Sequence, residues 1–407
     1  MCNDSDRAYV FRGQRYAQLA DSLGDLLRLR GLSCRTAARG FARFTGSSAY
    51  GAPASLNRAL LAVVLGQRAR RFVAGASAAR RWREAREAVL WKNVLLRCGA
   101  RIIVAIQPDT GLCRAAHELG AEVFDLQHGI IDTRENPYYR LDRIASGEPW
   151  DSPTGYLTWD ERSAEALSPM TVHGARVLVT GNPWFARFLR QEPDDALVRD
   201  AIAALPPARS DLPPVLVTLQ HGMRQLAPDY IPNGVMADCL ATAIRDSCDR
   251  FVWQLRLHPS QMTGSDAARV EKYLRATFGG CRNVEWRSCS RAPLPLLLGR
   301  ACAHITHYSA TTIEAAWMGV RTGLLNPHIR PGAKHAHFLV DERERGAAQT
   351  LPLDAGAIVR FVESAVVARR ASPHGAVGYV RHLDAFADYV QWAVESAASA
   401  RTQPAGA

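Results

Sequence analysis

Residues 101–125 read RIIVAIQPDTGLCRAAHELGAEVFD, and this stretch decides the fold class. Residues 101–106 form a short apolar run rich in β-branched side chains, which predicts a strand. Pro108, Asp109 and Thr110 then supply helix-capping chemistry, and the helix predicted over 112–119 stops at Gly120. A second strand follows at 121–125. Strand, helix and strand joined by short links predict a parallel βαβ unit. Upstream, leucines at 19, 23, 26, 27 and 29 and the runs 60–73 and 78–97 read as helices, the last closed by Gly99. Downstream, strands are expected at 155–158 and 176–179. Residues 191–214 hold a short helix and a Pro-rich linker.

A second alternating series follows the linker. Strands are predicted at 215–219, 250–256, 283–286, 303–306 and 322–325, with helices at 235–246, 267–278, 293–300 and 312–318. This half reads as a doubly wound α/β domain. The expected architecture is two Rossmann-like α/β domains facing each other across a cleft, with a helical N-terminal region and C-terminal helices. The expected divisions are 1–95 (basic and helical), 96–190 (first Rossmann-like domain), 191–214 (linker), 215–355 (second Rossmann-like domain), 356–395 (C-terminal helices) and 396–407 (frayed tail).

The chain has 407 residues, 47% hydrophobic and 22% charged, which fits a globular protein and excludes a collagen-like or disordered one. No apolar window is long enough to predict a membrane span, and residues 1–16 have no apolar core of a secretory signal. A cytoplasmic protein is expected, peripheral on the inner face of the plasma membrane. The nine cysteines form no C-x-x-C pair and predict neither a zinc site nor a disulfide framework. Residues 1–100 hold 18 Lys or Arg against 6 Asp or Glu, while the other 307 residues are close to neutral. Such a local excess suits an anionic membrane surface or an anionic acceptor. It lacks the aromatic–basic interleaving of nucleic-acid binders, so no nucleic-acid partner is expected.

Three motifs carry candidate chemistry, all after strands. Residues 307–316 read HYSATTIEAA, where Ser309, Thr311 and Thr312 offer hydroxyls and amides to a phosphate at a helix start and Glu314 can accept from a ribose. The spacing of Thr311 and Glu314 equally fits a plain capping box. Second, a strand stops at Arg256-Leu257-His258-Pro259. His258 can donate to a phosphate oxygen or base carbonyl, and Arg256 can pair with a diphosphate. Third, Gln-His-Gly occurs twice, as Gln220-His221-Gly222 and Gln127-His128-Gly129. The first copy is read as donor-binding. In the second, His128, Asp125 or Asp132 can act as general base. There is no P-loop, no G-x-G-x-x-G after a strand, no G-x-S-x-G and no H-E-x-x-H. No D-x-D follows a strand, so neither a metal nor a cofactor is expected.

With these residues in view, the chain resembles GT-B glycosyltransferases over roughly residues 95–330. HYSATTIEAAWMGVRTGLLNP at 307–327 looks like the nucleotide-sugar segment of that fold, and VLVTGNP at 177–183 is similar to the end of its first domain. His258-Pro259 together with the Ser/Thr group at 309–312 resembles bacterial sialyltransferase-like, Kdo-transferase-like and CDP-glycerol polymerase families. The resemblance implies that His258 and Pro259 contact a nucleotide, Ser309, Thr311 and Thr312 its phosphate, and Glu314 a ribose. It implies a transferase moving a sugar from a CMP- or UDP-linked donor to a surface glycan or lipid-linked acceptor. The acidic pair that supplies the base in the sialyltransferase-like group is absent, and Gln-His-Gly stands in its place. Alternatives are a UDP-N-acetylglucosamine 2-epimerase, whose early Arg-Pro-Glu phrase is missing here, a CDP-glycerol-type phosphotransferase, and a non-catalytic protein binding nucleic acid or an anionic surface.

Overall fold

The computed structural model describes residues 5–131, 149–190, 194–206, 211–262, 264–333, 335–371, 386–392 and 395. They belong to two compact units. Unit 1 comprises residues 1–187 and 379–407, and unit 2 comprises 188–378. The sequence places the division in the Pro-rich stretch 191–214. It falls earlier, inside the helix Pro183–Arg190, whose PWFARFLR sequence has no breaker after its first residue.

Unit 1 opens with a hairpin of β1 (Tyr9–Phe11) and β2 (Gln14–Tyr16), then α1 (Gln18–Leu29) and α2 (Asn57–Cys98). Arg7 is buried and pins this start by donating to Asp21 (3.1 Å) and to the Arg15 carbonyl (2.8 Å). Helix α2 is broken at Gly75, which sits at φ 80°. A Cβ added at Gly66 would lie 2.4 Å from the Trp82 ring. In a straight helix, sixteen residues would separate that pair by about 24 Å. The two arms therefore fold back on each other, with Arg70 over the Trp82 ring and Arg83 donating to Gln67 (3.3 Å).

After Gly99, a left-handed cap, come β3 (Ile102–Ala105), α3 (Thr110–Glu118), β4 (Glu122–Leu126), β5 (Gly155–Thr158), α4 (Glu161–Ala166), β6 (Arg176–Val179) and α5 (Pro183–Arg190). The Asp109 side chain caps α3 by accepting from Leu112 N–H at 2.8 Å. The four strands β3 to β6 pair in parallel and in chain order. One sheet face packs Phe124, Leu126 and Leu157 on Leu23 and Leu27 of α1, and the other packs Val123 on Leu112, Cys113 and Trp91. Residues 386–392 return to the first of these faces through Phe386, Ala387 and Val390. The expected block 356–395 is thus divided: its first helix packs in unit 2 and its last in unit 1. The expected tail 396–407 lies outside the described residues.

Unit 2 runs α6 (Ala196–Ala203), β7 (Pro214–Thr218), a helical turn (Met223–Leu226), α7 (Asp238–Ser247), β8 (Val252–Arg256), α8 (Gly264–Phe278) and β9 (Val284–Glu285). It continues through α9 (Arg287–Arg291), α10 (Leu294–Arg300), β10 (Ala303–Thr306), α11 (Thr311–Trp317), β11 (Thr322–Leu324), α12 (Val340–Glu344), β12 (Ala348–Thr350) and α13 (Ala355–Ala371). All six strands are parallel, in the order β12-β11-β10-β7-β8-β9. Trp253, Leu255, Val217 and Ile305 pack under Ile244, Leu274 and Ile358 from the helices. Among the described residues no helix is long and apolar enough to cross a membrane.

Candidate functional site

Strand order reverses between β7 and β10 in unit 2. From β7 the chain builds outward through β8 and β9, then crosses back to add β10, β11 and β12 on the other side. Loops leaving adjacent strands at such a reversal diverge and open a crevice at the carboxyl ends of the strands. Below it, Thr218, His304 and Thr322 form a buried relay across β7, β10 and β11: the imidazole's Nε2 and Nδ1 each lie 2.9 Å from a threonine hydroxyl. Burial pushes His304 down to about 3, so it is a neutral bridge between strands.

Gln220 organises the crevice. Its side-chain oxygen accepts the Tyr308 N–H at 3.0 Å, and its carbonyl accepts from Gln261 Nε2 at 3.2 Å. One residue after β7 therefore holds the loops after both neighbouring strands. Gly222, at φ 78°, starts the Met223–Leu226 turn in a conformation that favours glycine. His221 reaches Asp266, with Nδ1 3.4 Å from Oδ2. Its ring stacks on that of His258 at 5.9 Å between centroids.

His258 ends the β8 segment as expected, and Pro259–Gln261 forms a short 3-10 turn there. The His258 N–H donates to Gln261 Oε1 (2.9 Å), and its Nδ1 accepts from Ser260 N–H (3.2 Å), which places the ring proton on Nε2. Desolvation, with His221 adding, lowers this imidazole to about 4, although part of the residue reaches solvent. Arg256 differs from its expected role. Its Nη1 donates to the carbonyls of Cys289 (2.7 Å) and Ala292 (2.5 Å), so it ties the segment after β9 to β8. Its charge acts on Glu314, whose carboxyl desolvation raises to about 7 against the opposing pull of that guanidinium.

The turn after β10 also differs in detail from the sequence reading. Helix α11 has seven residues, and its first amides point inward: Thr311 N–H donates to Ser309 Oγ (3.2 Å), Thr312 N–H to the Ser309 carbonyl (3.0 Å) and Ile313 N–H to the Ala310 carbonyl (2.9 Å). Ala310 occupies the N-cap, so the capping box of Thr311 and Glu314 does not form. Two other groups stand out. His307 is 2% exposed, and neither of its ring nitrogens has a partner among the described residues; the same holds for the Thr312 hydroxyl, at 0% exposure. Burial lowers His307 to about 4. Tyr230 lies beside it, with ring centroids 5.8 Å apart. His307 stands first in the quoted phrase, but spacing alone did not mark it, and nothing in the sequence ties Tyr230 to it.

In unit 1, Asp125 and His128 lie at the carboxyl end of β4, and Asp132 lies outside the described residues. Gln127 is structural: it accepts from Trp159 N–H (2.6 Å) and donates to the Gly129 carbonyl (2.8 Å) and to Ser163 Oγ (3.1 Å). Asp125 is 7% exposed and accepts from Gln107 N–H at 2.9 Å, where Gln107 holds a left-handed φ of 51°. Burial raises the Asp125 carboxyl to about 7 and lowers His128 to about 4, with Arg39 adding to the second shift.

The sequence matches no protein-family model and none of the curated proteins. Solved structures do match. The chain is similar to the S. aureus MnaA–UDP co-structure, with 11% identity and a TM-score of 0.53 over 97% of this chain and 95% of that one. It is also similar to UDP-GlcNAc 2-epimerase from Neisseria meningitidis bound to UDP-GlcNAc (13% identity, TM-score 0.50, 90% of each chain). A third is UDP-GlcNAc 2-epimerase from Methanocaldococcus jannaschii (14%, TM-score 0.51, 76% of this chain and 82% of that one). These similarities show the fold: two Rossmann-like α/β domains of the GT-B type.

Proposed function

We propose that the protein is a glycosyltransferase that binds a CMP- or UDP-linked sugar at the strand reversal of unit 2 and passes the sugar to a surface glycan or a lipid-linked acceptor. The observation that carries this reading is the set of buried polar groups without partners there, the His307 ring and the Thr312 hydroxyl. Buried donors and acceptors are costly unless something satisfies them. Ser309 and Thr311 add hydroxyls to the same turn, and the nucleotide's phosphate is assigned to them. His258, with its proton on Nε2, is assigned the leaving phosphate, and Pro259, Gln220, His221 and Gly222 shape that wall. Glu314 is the ribose acceptor. In unit 1, Asp125 is assigned the base, since a carboxyl near neutrality suits proton abstraction better than an imidazole lowered to about 4. The basic residues within 1–100 are assigned to an anionic membrane surface on the acceptor side.

A thermal-shift panel of CMP, CDP, UDP and GDP tests the reading, because a ligand of the native state raises its melting temperature with occupancy. A shift with a cytidine or uridine nucleotide is expected. No shift with any of the four removes the nucleotide from the reversal and the transferase with it.

A second reading rests on the solved structures named as UDP-GlcNAc 2-epimerases, two of which resemble this chain over nine-tenths or three-quarters of its length. In it the same crevice holds UDP-N-acetylglucosamine and no acceptor is needed. Incubation with UDP-N-acetylglucosamine alone separates the two, since only an epimerase forms the 2-epimer from it.

A further inference from the structure

The broken helix α2 carries a feature that the nucleotide chemistry leaves unused. Its two arms meet at Gly75, and Phe72 and Val73, at the end of the first arm, are 92% and 91% exposed. Leu65 and Leu61, two and three helical turns back from Phe72 along the same arm, are exposed as well. Residues 66–83 contain six arginines and no Asp or Glu. Arg80 and Arg83 reach back to Glu84 (3.7 Å) and Glu87 (2.7 Å). Arg68, Arg70, Arg71 and Arg81 face no carboxylate among the described residues. The tip is thus an apolar point inside a cationic collar. It is also held in shape: the Trp82 ring fills the space that Gly66 leaves and lies under Arg70.

We propose that this hairpin tip is a membrane-docking device, inserting Phe72 and Val73 among the lipids of an anionic bilayer while the surrounding arginines engage its headgroups. The charge favours this occupant over a second copy of the chain, because tip-to-tip pairing sets like charges against each other. An apolar wedge with flanking arginines is the combination that binds the interface, since burial and headgroup attraction act together. The proposal narrows the membrane surface assigned to residues 1–100 and rests on that assignment. It is independent of which reaction unit 2 performs.

The test is co-sedimentation of the full chain with phosphatidylcholine vesicles, with and without a third of phosphatidylglycerol. Wild type is expected to bind only the anionic vesicles and to release in about 1 M salt. Phe72→Glu/Val73→Glu should weaken binding at least about thirtyfold. Arg68→Gln/Arg71→Gln/Arg81→Gln should weaken it about a hundredfold, at about fivefold per charge. Circular-dichroism melts should match wild type, because these side chains are exposed, and so report that each variant is folded. Anionic binding that survives the Phe72→Glu/Val73→Glu change overturns the tip while leaving another basic face in play. No binding to either vesicle overturns both. A dimer in the absence of lipid that the same change dissociates assigns the tip to a second copy and also overturns the proposal.

Discussion

The side-chain oxygen of Gln220 lies 3.0 Å from the backbone nitrogen of Tyr308, across the line where the unit 2 sheet reverses. Gln127 does the same in unit 1, where its oxygen meets the backbone nitrogen of Trp159 at 2.6 Å. In both units a Gln one or two residues beyond a strand fixes the main chain beyond the neighbouring parallel strand. The repeated Gln-His-Gly phrase is therefore a brace for loops, and its glutamines act on backbone.

Gln220→Ala should loosen the crevice. It deprives Tyr308 N–H of its acceptor, at a cost of about 1–3 kcal/mol. A fall of several degrees in melting temperature is expected, with nucleotide affinity down at least about tenfold by calorimetry. Unchanged affinity would mean that the 307–312 turn keeps its shape unaided.

Thr312→Val separates a ligand group from a packing group. The hydroxyl has no partner among the described residues, so an isosteric methyl should leave stability unchanged or raise it by about 1 kcal/mol. The nucleotide-induced thermal shift should nevertheless shrink sharply. Loss of stability together with an intact shift would make Thr312 part of the core and no part of the site.

His258→Ala and His258→Asn are expected to diverge in stability and agree in rate. Alanine loses the side-chain acceptor for Ser260 N–H, worth about 1 kcal/mol, and asparagine can keep it. Both lose the Nε2 proton, so sugar transfer should fall at least about a hundredfold in each. Recovery of turnover in the asparagine variant would show that the turn, and not the proton, is what His258 supplies.

Asp125→Asn should change how stability depends on pH. The carboxyl titrates near 7 in the fold against 3.8 ordinarily, so the native state favours the protonated form. Wild type then loses stability as pH climbs from about 4 through 7, and asparagine does not. The variant should gain on the order of 4 kcal/mol over wild type at pH 8 and almost nothing at pH 4, read by urea titration. Wild-type transfer should rise with pH through about 7, and the variant should lose it. A stability difference that does not vary with pH would place the Asp125 carboxyl in its ordinary range.

Much of the fold was legible because its signals are local. Strands at 155–158, 176–179 and 303–306 were bounded as observed, and the Asp109 cap and the Gly99 stop are written in adjacent residues. The edge strand Ala348–Thr350 was not, since AQT has neither alternation nor a β-branched run and pairs only because β11 lies beside it. The division between the units was hidden for a related reason. Proline marks a loop, but which side of a loop belongs to which core depends on distant contacts such as Phe386 on Phe124. At the site, the sequence brought out the residues after each strand, including His258 and Thr312. It could not show that Arg256 is committed to the Cys289 and Ala292 carbonyls, or that the amides of α11 turn inward, because both depend on backbone that arrives from elsewhere.

Unit 1 is interrupted: the chain leaves it at Arg187 and supplies its last core residues only from Phe386 onward. During synthesis, residues 188–378 are all added before the segment 386–392 is made. Leu23, Leu27 and Phe124 therefore await part of their cover until unit 2 has been translated. The unit whose translation starts first is thus the one completed last, and a chain released near residue 380 would carry all of unit 2 attached to a unit 1 that lacks Phe386, Ala387 and Val390.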